Sequence, residues 1–232
     1  AAPPDVFFTE FVSTDGLCSE GHDAVAHRLD YTELERPIVA QIWGTNPEHF
    51  RRAAAMIVEL GFDGIDINMG CPVRKIVKSG ACSALIDNPS LAAELFTATC
   101  EGAGRLPVSI KTRIGFRTRK TEEWAGFLLE LEPAALTMHG RIAKDMSDVP
   151  ANWNEVARVV EIRDSMESDT LVVGNGDVLE ARRLWSYPER YGVDGVMVAR
   201  GIFHDLFIFR DESDPASPSV AFDQLPTDRK SV

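Results

Sequence analysis

The chain has 232 residues, 44% of them hydrophobic, and a formal net charge of −12. That length suits one large domain or two small ones, and the apolar fraction can fill a core, so a disordered body is not expected. No run of about 18 apolar residues and no basic-then-apolar leader occurs, so neither a membrane span nor a signal peptide is expected.

Taken in chain order, short apolar or β-branched runs alternate with helix-like stretches. Val6–Phe11 reads as the first strand and Ile38–Trp43 as the second, followed by a helix over Pro47–Leu60. Gly64–Ile67 is a strand, and after its loop comes a helix over Pro89–Gly102. Then follow strand Val108–Thr112, helix Thr121–Leu131, strand Ala135–Met138, helix Asn152–Met166, strand Leu171–Val173, helix Leu179–Tyr187 and strand Gly195–Val198. Asn46 before Pro47 and Asn88 before Pro89 have the form of N-caps with proline at the first helical position. The strands read as nearly continuous apolar runs, as parallel strands covered on both faces would.

Alternation of this kind predicts a parallel sheet with helices outside it. The expected fold is an α/β barrel of the (β/α)8 TIM type. Only seven strands are counted where closure needs eight, so the first strand and its helix are expected to be absent from this chain. Residues 1–209 are assigned to this barrel and residues 210–232, rich in Asp, Ser and Pro, to a linker or disordered tail. An open doubly wound sheet is the structural competitor, but no glycine-rich dinucleotide fingerprint follows the first strand.

In such barrels chemistry sits at the C-terminal ends of the strands. Those ends carry polar, cationic and glycine-rich groups one after another. They are Asn68-Met69-Gly70-Cys71-Pro72, Lys111-Thr112-Arg113, His139-Gly140-Arg141, Gly174-Asn175-Gly176-Asp177 and Ala199-Arg200-Gly201. Cys71, in a Gly-Cys-Pro turn after a strand, is expected to point its thiol at the barrel mouth. Cys82, in a run of small residues, is assigned to packing, and Cys18 and Cys100 with it. No CxxC spacing occurs, so no structural metal site is expected, and a reducing cytoplasm is the simplest location. Lys111 ends an apolar strand, where a cation is costly unless an anionic or electron-rich partner meets it. His139 beside Arg141 reads as a donor to a ligand. Glycines beside Asn175 and Arg200 at the last two strand ends suit a phosphate-bearing cofactor, because they let backbone N–H groups approach it.

These blocks resemble the signature of the tRNA-dihydrouridine synthase family, over about Phe8 to Phe209. The resemblance is carried by Ile65-Asp66-Ile67-Asn68-Met69-Gly70-Cys71-Pro72, by Lys78-Ser79-Gly80-Ala81, by Lys111-Thr112-Arg113-Ile114-Gly115 and by the later strand ends. It implies an FMN enzyme that reduces uridine in tRNA to 5,6-dihydrouridine with NADPH as donor. By this match Gln41, Lys111 and His139 contact the flavin ring, and Asn175, Gly176, Asp177, Ala199 and Arg200 hold its phosphate. Cys71, as a neutral thiol of ordinary pKa, is the proton donor, and Asn68, Arg113 and Arg141 touch flavin, uracil or RNA.

Two departures stand out. The family's first-strand loop, which lies against the flavin, is matched by nothing in the sequence, and its C-terminal helical tRNA-binding domain is not expected in this chain. A net charge of −12 is also unusual for an RNA enzyme, although Arg74, Lys75 and Lys78 and the stretch from Lys111 to Lys120 are locally basic. The alternatives are another FMN barrel oxidoreductase acting on a free pyrimidine, and an inactive fragment that binds RNA without catalysis.

Overall fold

A computed structural model describes residues 3–210 of the chain. The tail expected over 210–232 lies, beyond Arg210, outside the described residues. Eight strands form one parallel sheet: β1 (Phe7–Phe8), β2 (Val12–Ser13), β3 (Ile38–Trp43), β4 (Gly64–Met69), β5 (Val108–Arg113), β6 (Ala135–His139), β7 (Leu171–Asn175) and β8 (Gly195–Met197). They are interleaved with α1 (Thr14–Leu17), α2 (Asp23–Ala26), α3 (Pro47–Glu59), α4 (Arg74–Lys78), α5 (Pro89–Ala103), α6 (Thr121–Leu129), α7 (Trp153–Ser165) and α8 (Ala181–Tyr191).

The sheet order is β1-β3-β4-β5-β6-β7-β8, with β2 also paired to β3. Among the described residues β1 and β8 each have one neighbour, so the sheet curls without closing. This is the (β/α)8 barrel sheet short of one strand position. No helix of the described residues is long and apolar enough to cross a membrane.

The single first strand expected over Val6–Phe11 is two short pieces. Phe7 pairs with Ile38 and Val12 with Ile42, so five steps along one strand face four along the other. One residue is therefore extra, which is a bulge. Thr9 fills the gap: its Oγ1 accepts the Gln41 N–H at 3.0 Å in place of a backbone carbonyl.

The strands also do not read as continuous apolar runs once their faces are separated. Ala40, Ile42, Ile65, Ile67, Met69, Ile110, Leu136, Met138 and Val172 are all fully buried under the helices. The Trp124 indole of α6 reaches this face to donate to Thr112 Oγ1 at 3.0 Å. On the opposite face stand Gln41, Asp66, Asn68, Ser109, Lys111, Arg113, His139 and Asn175, linked to one another by hydrogen bonds or ladder neighbours. Side chains alternate along a strand, so one face packs and the other carries polar groups.

Both asparagine caps form. Asn46 Oδ1 accepts from Glu48 N at 3.0 Å, and Asn88 Oδ1 from Leu91 N at 3.4 Å. Asn152 turns out to be a cap rather than the first helical residue, accepting from Asn154 N at 3.1 Å. The last helix starts two residues later than Leu179 and runs past Pro188 to Tyr191. Proline removes one helix bond, but Tyr187 and Tyr191 both pack on Trp153, with ring centroids 4.3 and 5.4 Å away. That contact holds the additional turn, which Gly192 at φ +70° then ends.

Candidate active site

The C-terminal ends of β6 to β8 line one small cleft, whose floor includes His139, Asn175 and Gly176 and whose rim includes Ala199 and Arg200, and the ends of β4 and β5 stand next to it in the sheet. Each strand is one or two residues longer than the apolar runs suggest, except β8, so Asn68, Arg113, His139 and Asn175 belong to the sheet itself. Strand membership fixes their spacing: Asn68 stands beside Lys111, Arg113 beside His139, and His139 beside Asn175.

The loop after β4 carries Cys71. Asn68 Oδ1 accepts from the N–H groups of Gly70 at 3.1 Å and Cys71 at 2.9 Å, an Asx turn built on the last polar residue of the strand. A Cβ at Gly70 would lie 3.2 Å from the Thr112 backbone, so glycine lets this turn sit tight against β5. The Cys71 thiol is half-buried and lies beside the thiol of buried Cys82. That contact comes first among the causes that lower Cys71 to about 6. Burial opposes it, while the Val73 N–H and the charges of Arg113 and Lys111 add to it. Cys82 is pushed upward by the same pairing and by burial, so of the two thiols Cys71 is the more readily ionised. The expected thiol of ordinary pKa is therefore replaced by a coupled pair, and Cys82 is a partner of Cys71 as well as a packing residue.

Lys111, half-buried, donates from Nζ to Asn175 Oδ1 at 3.2 Å, and Asn175 Nδ2 donates to Met197 O at 2.9 Å. Burial lowers Lys111 to about 8, with Asp66 acting against the shift. Lys111, Arg113, Arg141 and Arg200 all act on His139, which burial first and these charges second push down to about 2. In a chain of net charge −12 this is a concentrated positive field. A field of that sign in a partly enclosed cleft suits an anionic ligand.

Two of the expected substrate contacts, Arg113 and Arg141, also bind groups within the protein. Arg113 donates from Nε to Gly70 O at 2.8 Å and from Nη1 to Met146 O at 2.9 Å. Arg141 donates to Val149 O, to His139 Nε2 at 3.1 Å, and from Nη2 to both Asp177 oxygens at 2.6 Å. Asp177, at φ +54°, also accepts the Ala151 N–H at 2.8 Å. Burial works against its ionisation, but Arg141, the Ala151 N–H and Arg200 outweigh it and hold the carboxyl below its usual range. Asp177 thus braces the loop rather than offering a free oxygen.

The loop after β7 is shaped by Gly176 at φ +120°. A Cβ there would lie 2.7 Å from Ala151 Cβ and 3.0 Å from His139 Cδ2, so only glycine leaves its backbone open to the cleft. Gly201, whose Cβ would come within 2.1 Å of Val178 O, seats the Arg200 turn equally close. Arg200 is exposed on the rim, and among the described residues it enters no ion pair. Asp66 and Ser109 were not singled out from the sequence, yet both sit in this polar layer. Period-two spacing from Asn68 and Lys111 is the signal that locates them.

A family model described as dihydrouridine synthase (Dus) matches residues 2–224. The chain is 44% identical over 214 residues to a probable tRNA-dihydrouridine synthase of Staphylococcus aureus (strain COL), covering 91% of this chain and 65% of that protein. It is 44% identical over 227 residues to probable tRNA-dihydrouridine synthase 2 of Bacillus subtilis (strain 168), covering 97% of this chain and 69% of that protein. The chain thus spans about two thirds of the length of these relatives. Among solved structures, histamine dehydrogenase from Rhizobium sp. 4-9 aligns with a TM-score of 0.62 over 88% of this chain and 40% of its own. Morphinone reductase aligns with a TM-score of 0.57 over 91% and 80%; both are 14% identical and establish the fold alone. Motif order, barrel-end geometry and these matches agree: the chain belongs to the dihydrouridine synthase family.

Proposed function

We propose that this chain is the catalytic barrel of a flavin-dependent tRNA-dihydrouridine synthase, reducing uridine in tRNA to 5,6-dihydrouridine with NADPH as electron donor. The observation that carries the reading is the meeting of the Cys71 turn with a four-cation field at one barrel end. FMN fits that field: its phosphate matches exposed Arg200 and the backbone openings at Gly176 and Ala199, and an electron-rich ring matches Lys111 and Gln41. When bound, FMN supplies hydride for carbon 6 of the uracil.

The chain's own residues do the rest. Lys111, held by Asn175, offsets negative charge at the floor of the cleft. Arg113 and Arg141 act through their field and by tying the loops after β4, β6 and β7 together. Cys71 delivers a proton to carbon 5, and an anion in the cleft would raise its lowered pKa toward the protonated form. The target base must leave its stack to reach groups recessed at the barrel end. A tRNA substrate makes the cytoplasm the place of action.

The test is Cys71→Ala in a protein carrying the family's full length. It should keep its flavin, and a single-turnover mix of reduced enzyme with tRNA should show loss of most dihydrouridine formation. Turnover at the parent rate would remove Cys71 from the reaction.

A further inference from the structure

Asp66, on β4, is fully buried on the polar face of the sheet and belongs to none of the groups expected to touch cofactor or substrate. Its oxygens accept from Gln41 Nε2 and from Ser109 Oγ, both at 2.7 Å. Gln41 Oε1 in turn accepts from Asn68 Nδ2 at 2.8 Å, and Asn68 Oδ1 accepts the N–H groups of Gly70 and Cys71. An unbroken series of hydrogen bonds therefore joins the buried carboxylate to the turn that carries the thiol.

The series has a direction. A backbone N–H can only donate, and an ionised carboxylate can only accept. With both ends fixed, each amide between them has one orientation in which no donor faces a donor. Donation runs from Cys71 through Asn68 and Gln41 to Asp66. Without the terminal acceptor, Gln41 Nε2 is a buried donor with no partner, and Gln41 must leave its place to satisfy it. Asn68 Nδ2 then loses its acceptor, and the Asx turn that Asn68 Oδ1 makes with Gly70 and Cys71 is no longer held in place. Gln41 is 7% exposed and Asn68 8%, so water cannot readily repair the mismatch.

We propose that Asp66 is a positioning residue for Cys71, holding Gln41 and Asn68 in place as their terminal acceptor and with them the backbone of the Gly70–Cys71 turn. The proposal leans on the reading of Cys71 as the reacting group only for its catalytic consequence; the positioning is a property of the chain itself. Burial raises Asp66 to about 6 despite the Ser109 and Gln41 hydrogen bonds and the Lys111 charge. A well-packed apolar residue would avoid that cost, so the carboxylate is kept for what it accepts.

The experiment is the pH dependence of Cys71 alkylation by iodoacetamide in the flavin-free protein, read by mass spectrometry at Cys71 alongside a thermal melt. In the parent the Cys71 thiolate leans on Cys82 and the Val73 N–H, which the turn brings to it. Asp66→Leu, near in volume, should move the half-point of alkylation upward toward the ordinary thiol value of about 8.5. Loss of the negative charge alone would move it downward, so the sign separates positioning from simple electrostatics. Asp66→Asn should leave the half-point in place or lower it, since its Oδ1 still accepts from Gln41 while Ser109 turns to accept from its Nδ2. Should Asp66→Leu not fold, Gln41→Leu cuts the series while Asp66 keeps Ser109, and the same upward shift is expected. A half-point that stays put or falls in the folded leucine variants, or that rises as far in Asp66→Asn, overturns the proposal. The expected shifts in a protein that makes no dihydrouridine would sink the functional reading and leave the positioning intact.

Discussion

Arg141 Nη1 lies 3.1 Å from His139 Nε2. A guanidinium has only donors, so Nε2 must supply the lone pair and the single ring proton sits on Nδ1. The contact sets both the charge and the tautomer of His139: a neutral ring whose only donor is Nδ1–H. His139 thus offers a ligand a hydrogen bond without adding a fifth positive charge to the cleft.

That ring should not titrate between about pH 5 and 8, where an ordinary histidine does. Its folded value, about 2, lies below the reference 6.5, so the stability tied to the neutral ring is complete above pH 6.5 and is lost as pH falls toward 2. Nitrogen chemical shifts of the ring should stay flat across the neutral range, with Nδ1 protonated. Acid unfolding of His139→Gln should depend less steeply on pH than that of the parent, and a midpoint near 6.5 in the ring shifts would contradict the assigned tautomer.

The thiol pair makes a separate prediction. In the flavin-free protein Cys71 should be half-ionised near about 6, because Cys82 donates to it. Cys82→Gly is the chosen variant, since that residue sits at φ +54° where glycine is at ease. It should slow alkylation of Cys71 near neutral pH by roughly tenfold, because a rise from about 6 to about 8 takes the thiolate fraction at about pH 7 from about nine-tenths to about one-tenth. Added FMN should slow it too, by placing negative charge beside the thiol. Unchanged rates in Cys82→Gly would mean that the two sulfurs do not share a proton.

Arg200 stands on the rim with no acidic partner among the described residues. Arg200→Ala should weaken FMN binding by roughly ten- to a hundredfold, the worth of a charge-assisted hydrogen bond of about 1.5–3 kcal/mol. The rate in flavin-saturated enzyme should change far less. Titration with free FMN, followed by quenching of flavin fluorescence, measures the first, and an unaltered Kd would take Arg200 out of the phosphate site.

Among the described residues Asp177 and Arg141 form the most deeply placed ion pair, with side chains 28% and 4% exposed. Asp177→Ala would strand the guanidinium beside Arg113, Lys111 and Arg200 with no acceptor of opposite charge. A loss of about 3 kcal/mol or more in urea unfolding is expected, as for one partner removed from a buried pair. A loss under about 1 kcal/mol would show that the pair behaves as a surface contact.

The order of the βα units, both asparagine–proline helix starts and the polar strand ends could all be read from the amino-acid sequence, because each depends on neighbours within a few residues. So could the Cys71 turn, since Asn68, Gly70 and Cys71 lie within four positions. The Val6–Phe11 strand was read as unbroken because its bulge exists only against the register of β3. The last helix runs past Tyr187 through Pro188 because Tyr187 and Tyr191 pack on Trp153, a partner remote in sequence.

Within the site, sequence determined which residue types arrive at the barrel end and in what order. Tertiary structure decided what each one touches. Arg113 and Arg141 reach the barrel end, but most of their donors also bind carbonyls and a carboxylate from other loops. Cys82 looked like packing, but the fold sets its thiol against Cys71. Asp66 lay unnoticed inside the quoted motif, but strand pairing carries Gln41 and Ser109 to its two oxygens. Local pattern fixes conformation through short-range sterics and capping, whereas a buried polar group must be satisfied by whatever partner the folded chain brings to it.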